Sequence, residues 1–193
     1  MKYKRYRFRV TLPNIKGFFR VYEMKPETSL YAFHRQMGTD MSFPQDQLVL
    51  FKAVDPLGTA LARYRTFDMG NGTIDAVTVA KAVAAGHTSF VYFYDTTNKK
   101  SVLVNFEDVF ETETPATGIR LIDVKGPDPI EFENGYVAFE DLPQDKQKTF
   151  LPADDKEDND DFDDDDLDDD LDDEDEDDDI NYEDGKEIFS EDE

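Results

Sequence analysis

The 193-residue chain has no cysteine, no tryptophan and only two histidines. Without cysteine there is no disulfide, no thiolate metal ligand and no catalytic thiol, which points to a reducing, cytoplasmic compartment. Long apolar runs are missing too. No stretch approaches the roughly 18 residues that cross a bilayer. The opening MKYKRYRFRV passes straight from positive charge into alternating polar and aromatic residues, without the apolar core of about 7 to 15 residues of a signal peptide. The chain reads as soluble, with no membrane segment. Phosphate-cradling glycine patterns are absent: the GNG at residues 70–72 is followed neither by a lysine and hydroxyl at Walker spacing nor by a third glycine opening a helix. No cofactor is expected. A calcium loop fails as well. With Gly185 at the obligatory sixth position and Glu191 at the twelfth, positions one and three fall on Ile180 and Tyr182, neither of them a ligand.

What the chain does have is charge, unevenly placed. Residues 154–193 hold 27 acidic and 2 basic residues and so account for the whole net charge of -25. Residues 1–153 balance. Dense like charge cannot collapse into a core, so the expected organisation is a folded domain over 1–153 and a disordered Asp/Glu-rich tail over 154–193. Net negative charge disfavours nucleic acid and anionic membranes as general partners. Phe162, Leu167, Leu171, Ile180, Tyr182, Ile188 and Phe189 interrupt the acid, a pattern suited to docking on basic, partly apolar proteins and equally to a solubilising appendage.

Within the first 153 residues, strict alternation from Lys4 to Leu12 predicts a half-buried strand, with Tyr6, Phe8, Val10 and Leu12 on one face and Arg5, Arg7, Arg9 and Thr11 on the other. Pro13, Asn14 and Gly17 turn the chain into a second strand over 18–23. Thr28 or Ser29 caps a helix whose stripe is Leu30, Phe33, Met37 and Met41, with Gly38 near its end. QLVLFKAV over 47–54 is a third strand, closed by the turn Asp55-Pro56-Leu57-Gly58, and a weak fourth follows in 59–67. Asp75 or Thr78 caps a short helix ending at Gly86; SFVYFY (89–94) and SVLVNF (101–106) form a second hairpin; Ile119–Val124 is a last strand before the rigid turn KGPDP. Hairpin-paired strands with two interposed helices argue for an α+β fold, a mixed and mainly antiparallel sheet with both helices on one face.

Two groups of side chains carry possible chemistry. Lys4, Arg5, Arg7 and Arg9, with Lys2 beside them, form a basic face whose cations repeat at roughly 7 Å and so match a phosphate backbone. The plainer reading is an edge strand guarded by charge. A third is that the acidic tail, averaging roughly 35 Å end to end for 40 residues, reaches back over that strand. The second group is His34, Tyr92, Tyr94 and Asp95, a polar set able to move protons if the first helix meets the end of the second hairpin. His34 also lies at the edge of an apolar helical stripe, where packed histidines are common. His87 has no nucleophile-elbow serine beside it.

Taken in order, YRFRVTL, FFRVYEM, SLYAFHRQM with Leu30, Phe33 and His34, QLVLF, then FVYFYD with Tyr92, Tyr94 and Asp95 and VLVNFE through Glu107 resemble the plasmid pRiA4b open-reading-frame-three-like family over residues 3–135. That resemblance implies a bacterial protein of the same α+β fold and no established biochemical role. Where the family continues Asp-Phe-Gly-Asp, this chain reads Asp95-Thr96-Thr97-Asn98. The expected function is therefore a non-enzymatic binding or accessory protein whose acidic tail contacts basic partners or its own basic strand. The alternative is a small enzyme with a site near Tyr94, Asp95 and His34.

Overall fold

The computed structural model describes residues 2–115 and 117–149, with the side chains of Lys148 and Thr149 left aside. The chain divides into two units, Met1–Pro152 and Ala153–Glu193, and the fold below belongs to the first. The expected tail, residues 154–193, lies outside the described residues.

Seven strands and a few short helices make an α+β domain. In chain order they are β1 (Tyr3–Leu12), β2 (Ile15–Met24), α1 (Leu30–Asp40), β3 (Leu50–Val54), β4 (Ala60–Tyr64), α2 (Val79–Ala84), β5 (Ser89–Asp95), β6 (Lys100–Thr112), β7 (Arg120–Lys125), α3 (Pro129–Glu133), a 3-10 turn (Phe139–Asp141) and α4 (Gln144–Thr149). The strands form one sheet in the order β4-β3-β5-β6-β1-β2-β7. Every strand pair in it is antiparallel, so the sheet is more uniform than the mixed one expected. β1 is not an edge strand. It lies between β6 and β2, which overturns the reading of its arginines as edge protection: the edges are β4 and β7, both short. Strand order is set by pairings more than 90 residues apart, such as Val10 with Val104, and a local alternation pattern carries no information about them.

One face of the sheet is the core. Phe8 and Val10 of β1, Phe18, Tyr22 and Met24 of β2, Phe51 and Ala53 of β3, Phe90 and Tyr92 of β5 and Val102 and Val104 of β6 are all buried on it. Its cover is α1, through Leu30, Phe33, His34 and Met37, and α2, through Val79 and Ala82. The caps are local: Ser29 accepts a hydrogen bond from the amide of Ala32, and Thr78 from that of Lys81. The two helix starts are also tied together. Leu30 donates to the carbonyl of Val77 and Val79 donates to that of Thr28, so both helices leave one backbone junction over the same face. α1 runs through Gly38 to Asp40, two residues past the expected end, with Met37 and Gly38 of its last turn still buried.

At the far end of the β1–β2 hairpin the chain folds back on itself. Asp141 accepts from the amides of Lys16 and Gly17, and a Cβ on Gly17 would meet that of Ala138 at 2.0 Å. Gly126 in the predicted 125–129 turn takes φ +73° and comes so near the hairpin that a Cβ there would meet the Gly17 carbonyl oxygen at 2.2 Å.

Phe33 is the wedge that joins α1 to the sheet, its ring 5.6 Å from that of Phe8 and 5.3 Å from that of Tyr22 between centroids. It is essentially fully buried. Phe33→Ala should destabilise the domain by about 3–5 kcal/mol, read as a shift in the urea midpoint. An effect below about 1 kcal/mol, the range of exposed substitutions, would contradict this packing.

Candidate functional site

The four polar residues proposed as a site fall into two separate arrangements. His34 lies on the inward side of α1 and Tyr92 at the centre of β5; Nδ1 of the first and Oη of the second share a hydrogen bond of 2.6 Å. Both are buried, with Tyr92 fully so. Burial pulls His34 below its ordinary value, helped by the charge of Arg35, and the same desolvation pushes the Tyr92 hydroxyl strongly up. Both stay neutral at physiological pH.

Tyr94, two residues on, emerges at the sheet's end. Phe43 stacks flat on its ring at 3.8 Å between centroids, and its hydroxyl donates to Glu133 at 3.3 Å. Burial raises its pKa, and the Glu133 charge adds to the effect. Glu133 is in turn held by Lys100 at 2.6 Å. Asp95 closes the β5–β6 turn: Oδ1 accepts from the amides of Thr97 and Asn98, and Oδ2 from the Asn98 side chain at 2.6 Å. These bonds, the Asn98 side chain foremost, hold Asp95 below the usual carboxylate range. A small cavity of about 170 Å³ opens beside it, lined by Ser42, Phe43, Tyr94, Asp95, Lys100 and Ile130 among others; His34 and Tyr92 are not part of its wall. Proton transfer near neutrality needs groups tuned toward pH 7. Here the tyrosines move up, His34 moves down and Asp95 moves down, each away from it.

The basic face resolves differently at each position. Arg5 is buried, at 2% exposure, with Nη2 donating to the Pro115 carbonyl. Arg7 pairs with Glu23 at 2.7 Å and covers the Phe110 ring; Arg9 pairs with Glu107 and covers Phe19. Lys4 is exposed. The row therefore sits mid-sheet with its central cations compensated by the strands on either side.

Several residues that build this region carried little signal. Glu133 meets Tyr94 and Lys100, and Ser42 meets Asp128, across long sequence separations. Arg20 did leave a trace, as the one charge among Phe18, Tyr22 and Met24 on the apolar face of β2. It is 3% exposed, lies over Phe18 and donates to the carbonyls of Phe19, Lys125 and Pro127, anchoring the turn after β7.

No family model matches the chain, and no curated protein sequence matches it. Among solved structures, the crystal structure of MM3350, a protein of unknown function from Methanosarcina mazei Go1, is similar, with a TM-score of 0.54 and 13% sequence identity. The match covers 68% of this chain and 79% of that one. The likeness is one of fold.

His34 gives a pH test. Its folded pKa lies below its unfolded value near 6.5, so between the two the unfolded chain binds a proton that the folded chain excludes. The favourable contribution is present above about 6.5 and is lost as pH falls through the depressed folded pKa. The wild type should lose stability relative to His34→Gln on going from pH 7.5 to 5.5. Parallel urea midpoints for the two proteins over that range would show that His34 is not excluded from protonation.

Proposed function

We propose that the protein is a non-enzymatic binding or accessory factor, a divergent member of the plasmid pRiA4b open-reading-frame-three-like family. Its folded domain offers a surface, and its acidic segment makes electrostatic contact with basic partners or with the basic N-terminal strand. The observation that carries this reading is the partition of charge: all of the net -25 lies in residues 154–193, beside a domain whose charges balance. The internal engagement of His34, Tyr92, Tyr94 and Asp95 supports it. Between the two contacts, external basic partners are favoured, since Arg7 and Arg9 already have carboxylate partners and Arg5 is buried.

Removing residues 154–193 should leave thermal unfolding nearly unchanged while abolishing retention of a labelled oligolysine probe and of basic proteins in a pull-down. Retention by the intact protein should fall steeply between low and high salt. Equal retention with and without the segment would refute the reading.

A further inference from the structure

Away from the polar site, a groove of about 350 Å³ opens where the start of β1 meets the connection from β2 to α1 and the segment after β6. Lys2, Lys4 and Lys25 line it, with Glu27 the single acid in the wall and Pro115 closing one side. The sheet register explains the convergence: Tyr6 pairs with Met24, so in an antiparallel ladder the residues just before Tyr6 run beside those just after Met24. Lys4 and Lys25 are both exposed, and among the described residues neither has an ion-pair partner. Lys2 has only the solvent-exposed Glu111, at 3.3 Å, a contact of little net value.

A second observation points the same way. Arg5 is buried with no carboxylate partner among the described residues, and its Nη1 lacks any hydrogen-bond partner. Its other terminal nitrogen is bonded to the carbonyl of Pro115, a residue of the groove wall. A permanently charged guanidinium buried behind that wall adds positive potential in a poorly screened environment. Unlike Arg7 and Arg9 farther along β1, Lys4 and Lys25 have no ion-pair partner among the described residues.

We propose that this groove is a binding site for a compact oxyanion with two or more negative charges, of the kind that phosphorylated or polycarboxylate metabolites present. Lysine ammonium groups are mobile point charges that suit clustered phosphate or carboxylate oxygens without demanding one geometry. The volume falls within the range of small-ligand sites. The groove is lined by residues of the first unit alone and its test reads binding of small anions, so its failure is distinguishable from failure of the function proposed above.

The test is calorimetric titration of the full chain at low salt with tripolyphosphate and, in a second arm, with citrate. Binding of both marks a general polyanion site, and binding of one alone assigns the phosphate or the carboxylate source. The double variant Lys4→Gln/Lys25→Gln should weaken binding by about tenfold or more, with an unchanged thermal transition, while Lys81→Gln on α2 should bind like the wild type. No heat from either anion at millimolar concentration would overturn the proposal. So would a double variant that binds as the wild type does, or equal weakening by Lys81→Gln.

Discussion

A sheet face made almost wholly of aromatic and branched side chains has to be covered, and in this fold the larger part of the cover is a single helix of 11 residues. That requirement organises the rest. It fixes α1 by Phe33 against Phe8 and Tyr22. It draws His34 inward, because His34 falls one turn after Leu30 and three residues before Met37, on the stripe that α1 turns to the sheet. It buries Tyr92 beneath Phe43 and beside Phe51. Once both polar groups are in an apolar layer, each must find a partner or remain a desolvated liability, and their 2.6 Å contact is the solution. The polar pair is thus a consequence of the packing.

How much of this the sequence disclosed follows from the range of the interactions involved. Period-two alternation in β1, the hydroxyl caps at Ser29 and Thr78 and the left-handed stop at Gly86, with φ +82°, are local, and they place β1, α1 and α2 to within a residue or two, whereas β6 runs six residues beyond its expected end. Strand order is not local. Nothing in YKRYRFRVTL distinguishes an edge strand from one flanked on both sides, since the distinction lies in β6, a hundred residues away. The meaning of the arginines changes with that placement: at an edge they would be free cations, and mid-sheet they meet Glu23 and Glu107. The Tyr94–Glu133–Lys100 chain was hidden for the same reason, its acid coming from α3 beyond the end of β7. Asp95 was legible as notable, and its carboxylate accepts from the backbone of the Asp-Thr-Thr-Asn turn that it opens.

The distribution of cations then separates structural from available charge. Arg7, Arg9 and Arg20 lie over aromatic rings and are bound to carboxylates or carbonyls, so their removal would unmake the sheet's outer face and the turn after β7. Lys4 and Lys25, at the start of β1 and after β2, have no such duties among the described residues. Guanidinium groups, flat and weakly hydrated, suit the first role, and strongly hydrated ammonium groups on flexible stems suit the second.

A chain of net charge -25 carrying a local cationic groove is not contradictory. At physiological salt, charges more than about 8 Å apart are largely screened, so the sign felt by a small ion in contact with a wall is set by the groups lining that wall. The total charge governs a different event, the approach and retention of large, extended partners whose length exceeds the screening distance. Long polyanions are therefore repelled by the molecule as a whole even where a short one is attracted. Salt that weakens contacts among exposed charges leaves the Arg5 guanidinium, buried and bonded to the Pro115 carbonyl, less affected, because a buried charge is screened less than one at the surface.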